Sequence, residues 1–208
     1  MAKQLAFYID SSICTGCKVC QIACQDKNNL PPEIRWRKVL QYGGGNWFVE
    51  DGFTLPNNVY VYSLSLSCNH CEEPKCVENC PTGALYKREK DGIVALEREK
   101  CIGCRYCVWS CPYGAPQFIE EEGKVGKCDM CVDLVDQGQN PACVDACVMR
   151  AIKYGDLNEL RAEYNDVSDI EPLPPSSITK PSLVITPHKH AQPSGQGSGH
   201  ILNLPEEI

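Results

Sequence analysis

The 208-residue sequence predicts an α+β fold in which short strands, hairpins and short helices carry cysteine-rich loops. Three observations predict it. Sixteen cysteines fall into four groups of four instead of being scattered. Period-two alternation at 58–66 and paired apolar runs around a turn at 84–96 mark strands beside those groups. Helical composition at 20–27 and a capping sequence at 156–159 mark helices.

Residues 4–9 form a short apolar run that predicts a strand ending at Asp10, directly before the first group. The helix predicted over 20–27 is broken by Asn28-Asn29 and Pro31-Pro32. The stretch 33–57, with Trp36, Trp47 and Gly43-Gly44-Gly45, reads as a flexible or closely packed loop. No Lys-Ser/Thr or helix start follows those glycines, so a phosphate cradle is not indicated. At 58–66, Val59 and Val61 alternate with Tyr60, Tyr62, Leu64 and Leu66, a strand leading into the second group. The 84–96 hairpin turns near Asp91-Gly92, a second hairpin is expected at 117–127 around Gly123, and 151–154 is a closing strand. Asp156-Leu157-Asn158-Glu159 resembles a capping box, after which Leu157, Leu160 and Tyr164 share a helical face. Seven of the fifteen prolines lie between Pro172 and Pro205. That tail is expected to form no core: it is either disordered or an arm lying on a partner, with Leu183-Val184-Ile185 and Ile201-Leu202 favouring the arm.

The groups are Cys14, Cys17, Cys20, Cys24; Cys68, Cys71, Cys76, Cys80; Cys101, Cys104, Cys107, Cys111; and Cys128, Cys131, Cys143, Cys147. In the third, two residues separate each neighbour among the first three cysteines, three separate the last pair, and Pro112 follows. Three thiolates so spaced wrap one face of an iron–sulfur cube, while the fourth starts the next element and, in two-cluster ferredoxins, serves the other cluster. The second group tolerates a longer loop at Glu73-Pro74. Zinc competes best at the fourth group, whose spacing suits a tetrahedral four-cysteine site; against it, four cubane clusters use all sixteen thiolates with none spare. His70, between Cys68 and Cys71, reads as a solvent-facing loop residue, with cluster tuning by hydrogen bonding as the alternative. His188, His190 and His200 read as solvated tail residues.

Twenty basic and 27 acidic side chains give a net charge of −7. Such a chain repels phosphate, which argues against nucleic-acid binding. No secretory leader, paired arginines or long apolar run is expected, so membrane contact is expected only through a partner. With few aromatics, the core is expected to be thin and folding coupled to metal binding. No nucleotide fingerprint or catalytic triad is visible, so the chain reads as a conductor and not an enzyme by itself.

Ile9-Asp10-Ser11-Ser12 with Cys14-Thr15-Gly16-Cys17-Lys18, Ser67-Cys68-Asn69-His70-Cys71-Glu72, Cys101-Ile102-Gly103-Cys104-Arg105-Tyr106-Cys107, Pro112-Tyr113-Gly114-Ala115-Pro116-Gln117 and the proline-rich tail together resemble the four-cluster iron–sulfur subunits of dimethyl sulfoxide reductase and its molybdopterin-oxidoreductase relatives, nearly end to end. The resemblance implies two fused bacterial-ferredoxin-like (βαββαβ) halves with long loops and an extended C-terminal arm. Residues 1–30 and 120–155 would form the first half, 31–57 a connecting loop, 58–119 the second half, and 156–208 a capped helix and an arm on partner subunits.

The resemblance also implies four [4Fe-4S] clusters: Cys14, Cys17, Cys20 and Cys147; Cys128, Cys131, Cys143 and Cys24; Cys68, Cys71, Cys76 and Cys111; and Cys101, Cys104, Cys107 and Cys80. From the residues alone, pairing the first group with the second and the third with the fourth also closes the count. Implied partners are a molybdopterin catalytic subunit reducing dimethyl sulfoxide or related S- and N-oxides, and a quinol-oxidising membrane anchor. The implied location is peripheral on the cytoplasmic membrane, on its outer face by co-export, with the cytoplasmic face as the alternative. A formate, thiosulfate, polysulfide or tetrathionate complex, or a free soluble polyferredoxin, are the other readings.

Overall fold

The computed structural model describes residues 3–207. Residues 1, 2 and 208, which the boundaries of the first half and of the tail include, lie outside the described residues. The architecture is α+β, built from small sheets and short helices. Strand β1 (Leu5–Asp10) is central to one sheet: it runs antiparallel to β8 (Ile152–Asp156) and parallel to β9 (Leu183–Thr186). Leu5, Phe7 and Ile9 face the main core, whereas Ala6 and Tyr8 pack against Leu157, Leu160 and Val184. Both faces of β1 are thus buried, and the run 5–9 is apolar without alternation for that reason. Helix α6 (Leu157–Glu163) covers the second face. Asp156 caps it as expected, accepting from the amides of Asn158 at 2.9 Å and Glu159 at 3.4 Å.

The tail departs from expectation. Leu183, Val184 and Ile185 are fully buried against the protein's own core, with Ile170 and Leu173. Parallel pairing with β1 satisfies the backbone of β9, and the prolines around it hold the chain extended at little cost in conformational entropy. Ile178 is exposed. The tail is therefore part of the fold, because β1 needs a strand on its second edge.

The stretch expected as a loop over 31–57 holds most of a long hairpin instead. Strand β2 (Lys38–Glu50) pairs antiparallel with β3 (Phe53–Leu66), around a turn at Asp51-Gly52. The three glycines sit inside β2 at a bulge between Gly44 and Asn46. Gly45 has φ +97°, and a Cβ there would lie 2.4 Å from the Asn58 carbonyl oxygen. A third strand, β10 (His200–Ile201), pairs with β2.

The two smaller hairpins form as the sequence predicts: β4 (Leu85–Lys87) with β5 (Val94–Leu96), and β6 (Gln117–Ile119) with β7 (Lys124–Gly126). The remaining helices are α1 (Val19–Lys27), α2 (Lys75–Glu78), α3 (Tyr106–Ser110), α4 (Val132–Val135), α5 (Ala142–Asp145) and α7 (Leu204–Glu207). Helix α1 packs on α5, and α2 on α3. No helix among the described residues is long and apolar enough to cross a membrane.

Candidate metal centres

Each cysteine loop turns sharply before its helix. In the first and third groups the turn uses Gly16 (φ +70°) and Gly103 (φ +69°), followed by Lys18 and Arg105 in the same left-handed region. A Cβ on Gly103 would lie 2.2 Å from the Gly123 carbonyl oxygen, so only glycine fits. The turn brings Cys20 and Cys107 onto the first turn of α1 and α3. Cys24 follows one helical turn after Cys20, roughly 6 Å along the axis.

The sixteen thiols form no disulfide and, in the four sets expected from the resemblance, meet as follows. Cys14, Cys17, Cys20 and Cys147 line one cavity with Val39, Ser65 and Ile152. Cys80, Cys101, Cys104 and Cys107 line another with Leu85, Leu96 and Val125. Burial drives the Cys24 thiol far up, and the nearby thiols of Cys128, Cys143 and Cys131 push the same way. Burial does the same to Cys76, beside the thiols of Cys68, Cys111 and Cys71. The two cavities thus bring Cys147 of the fourth group to the first group and Cys80 of the second group to the third. Helices α1 and α5 each carry a cysteine of the first set and one of the second, or lead straight into it. The segments around α2 and α3 do the same for the third and fourth sets.

A four-cysteine zinc site in the fourth group would need Cys128, Cys131, Cys143 and Cys147 together. Cys147 instead lines a cavity with Cys14, Cys17 and Cys20 of the first loop. Among the described residues, no three Cys, His, Asp or Glu side chains converge closely enough to hold a single metal ion.

Thiol acidity shows what the sets require. Burial pushes Cys71 and Cys131 up to about 12 and Cys107 up to about 11. Cys80 goes the other way: burial raises it, but hydrogen bonds from the Leu85 amide and from Thr82 and Ala84 outweigh that and hold it below its ordinary value. Buried thiolates in such numbers are stable only with positive charge in their midst, which iron would supply. Backbone amides already aim at several sulfurs: Leu85 N–H at Cys80 Sγ (3.5 Å), Met130 N–H at Cys128 Sγ (3.4 Å) and Ala151 N–H at Cys147 Sγ (3.3 Å). The donor sets fit four cubane clusters, which when bound would accept and release single electrons.

Two buried cations stand among the sets. Arg37 donates to Ser65 Oγ at 3.0 Å and Ser67 Oγ at 2.9 Å, and lies 4.6 Å above the Phe7 ring. Lys127 donates to the carbonyl oxygens of Cys128, at 2.8 Å, and of Val94, and its charge lowers the Cys68 thiol that burial raises. Neither residue has a motif of its own. The detectable signal was Ser63, Ser65 and Ser67, a polar period-two row running along and just past the buried C-terminal end of β3.

His70 corrects another expectation. It is fully buried, its Nδ1 accepts from the Val94 amide at 3.1 Å, and Nε2 has no partner. Burial first, then the charge of Lys127, holds its pKa well below the ordinary histidine value, so the ring is neutral. The reason is the tail, which covers this loop. Glu72 N–H donates to Lys180 O at 2.8 Å, Glu73 N–H to Thr179 O at 3.0 Å, and Ser182 N–H to Asn69 O at 3.0 Å. Thr179 Oγ1 donates to the Tyr113 hydroxyl at 3.3 Å and stands beside the Cys71 thiol. His188 and His190, expected to be solvated, stack on Tyr62 and Tyr60 with ring centres 5.4 Å apart, although His190 and His200 keep exposed surface.

Comparison with known proteins agrees with this donor chemistry. Residues 59–157 match the 4Fe-4S dicluster domain. The sequence is 47% identical over 208 residues to the B subunit of anaerobic dimethyl sulfoxide reductase from Escherichia coli strain K12, covering 100% of both proteins. It is 46% identical over 206 residues to the subunit of that name from Haemophilus influenzae, covering 99% of this protein and 100% of the relative. The B subunit of polysulfide reductase from Wolinella succinogenes is 35% identical over 195 residues, covering 91% of this protein and 97% of the relative.

Proposed function

Since the protein belongs to the family of iron–sulfur subunits that includes the B subunit of dimethyl sulfoxide reductase, a non-catalytic electron-transfer component of oxidoreductase complexes, we propose that it carries four [4Fe-4S] clusters in a row. They relay electrons from a quinol-oxidising membrane anchor to a molybdopterin catalytic subunit that reduces dimethyl sulfoxide or a related S- or N-oxide. The clusters are held by Cys14, Cys17, Cys20 and Cys147; by Cys24, Cys128, Cys131 and Cys143; by Cys68, Cys71, Cys76 and Cys111; and by Cys80, Cys101, Cys104 and Cys107. Residues 1–30 with 120–155 act as one ferredoxin-like half and 58–119 as the other.

The observation that carries this reading is the chaining of the sets through shared structure. The first and second share α1 and α5, and Cys128 of the second feels the thiol of Cys68 in the third. The third and fourth share the segments around α2 and α3. Exposed apolar side chains stand close in sequence to cysteines of the two end sets: Ile13, Val19, Ile22, Val148 and Met149 for the first, and Ile102, Tyr106 and Trp109 for the fourth. Such exposed apolar groups suit docking faces at the ends of a conductor, with the anchor at the fourth set and the catalytic subunit at the first. A freely diffusing carrier has less use for them.

The greater identity to the dimethyl sulfoxide reductase subunits than to the polysulfide reductase subunit favours a sulfoxide or N-oxide over polysulfide. The complex sits on the outer face of the cytoplasmic membrane, exported with its folded catalytic partner. The test is purification from membranes of anaerobically grown cells through a tag on this chain. A molybdenum-containing subunit and quinol-dependent reduction of dimethyl sulfoxide are expected. Recovery of the tagged protein alone, or activity only towards formate or polysulfide, would overturn the assignment.

A further inference from the structure

We propose that Arg37 is a fixed internal cation that raises the reduction potential of the cluster held by Cys24, Cys128, Cys131 and Cys143, and to a lesser degree that of the cluster held by Cys14, Cys17, Cys20 and Cys147. The inference rests on the cluster assignment above and adds to it a residue that holds no iron.

The geometry carries it. Arg37 is 1% exposed, so its charge has no water to screen it. Its guanidinium is fixed by Ser65 on β3, by Ser67 directly after that strand, and by the face of Phe7 on β1. None of the ion pairs among the described residues involves Arg37. The acidic groups acting on it most strongly are the thiols of Cys143, Cys20, Cys128 and Cys24, in that order. Three of these belong to the second set and one to the first. A buried guanidinium without an opposite charge is strongly destabilising. The negative charge that justifies Arg37 is therefore that of the two clusters and their thiolates.

The consequence is electrostatic. One-electron reduction takes a four-iron cluster with its thiolates from about −2 to about −3. The electron comes from the neighbouring cluster, which loses the same unit. Nearby positive charge lowers the energy of the more negative state, so reduction becomes easier. It also offsets the repulsion that an electron on one cluster exerts on the next. Arginine suits this task better than lysine or histidine because it stays charged at any working pH. Electron arrival then needs no proton to follow.

The test compares Arg37→Gln and Arg37→Lys in the purified holo-complex by potentiometric titration of the EPR signals. The second-set cluster is identified as the one whose signal Cys131→Ser alters. With iron retained, Arg37→Gln is expected to disfavour reduction of that cluster at least tenfold, a fall of about 59 mV or more for a one-electron couple. The first-set midpoint should fall less, those of the third and fourth sets should not move, and Arg37→Lys should stay within twofold of the parent. Unmoved midpoints in Arg37→Gln, or an equal fall in Arg37→Lys, would overturn the proposal. If Arg37→Gln loses iron, Arg37→Lys decides. Full iron with parental midpoints supports the charge role, and loss of iron in both variants assigns Arg37 to packing. An unsubstituted complex in which this subunit holds fewer than four clusters would instead refute the assignment beneath it.

Discussion

Ser182 Oγ donates to the backbone oxygen of His70 at 3.0 Å, tying the proline-rich tail to the second cysteine loop. Truncation after Asp169 therefore should not leave a cluster-loaded protein merely released from its partners. It removes Leu183, Val184 and Ile185, all buried, whose burial is worth about 1.5–3 kcal/mol each. That sum approaches the whole stability of an ordinary domain, about 5–15 kcal/mol. It also strips the strap over Cys68 and Cys71. The truncated protein is expected to lose the third-set cluster first and then to aggregate. Iron analysis and EPR of the anaerobically isolated fragment check this, and a soluble fragment with a full complement of iron would show that the tail is dispensable.

Sixteen iron and sixteen sulfide are expected per chain, because sixteen cysteines fill four sets with none left over. Zinc should be absent. A stoichiometric zinc, or close to twelve irons in an anaerobic preparation, would exclude the count.

How much of this was legible beforehand follows from the range of each interaction. Cysteine spacing reports the local wrapping of a loop, so the groups could be read directly. The capping by Asp156 and the small hairpins are equally local. Leu183 could be seen as too apolar for water, but not that its partner is Phe7, near the opposite end of the sequence. Gly43-Gly44-Gly45 read as a loop because glycine weakens strands; only the close approach of Asn58 and Tyr60 explains them inside β2. Arg37 looked like any charged residue between Trp36 and Lys38. Its burial depends on thiols delivered by separate segments, and no pattern within the sequence places those around it.

Cys104→Ser is expected to turn the fourth-set cluster into a three-iron form while the protein still assembles. Cys101, Cys107 and Cys80 reach that set from other positions, and the loop at Cys104 is partly exposed. Low-temperature EPR of the oxidised variant should show a new three-iron signal, with the other clusters unchanged. An identical spectrum would mean that Cys104 holds no iron.

The two exposed apolar groups should fail in different ways. Trp109 is 72% exposed beside the fourth set, and Val148 is 64% exposed beside the first. Neither supports the core, so a charge at either position should leave all the iron in place. An exposed tryptophan buried at an interface typically contributes at least about 2 kcal/mol to binding, so Trp109→Glu should weaken association with the membrane anchor by roughly thirtyfold. Fractionation would then find this protein and the catalytic subunit together, off the membrane, and still able to reduce sulfoxide with an artificial donor. Val148→Glu, by contrast, should leave the protein on the membrane and reducible by quinol, but detached from the catalytic subunit. The separation is diagnostic because the two positions flank opposite ends of the row. If Trp109→Glu instead releases the catalytic subunit, the row runs the other way. If neither substitution changes assembly, these groups are not the docking faces, and partners must be held elsewhere on the surface.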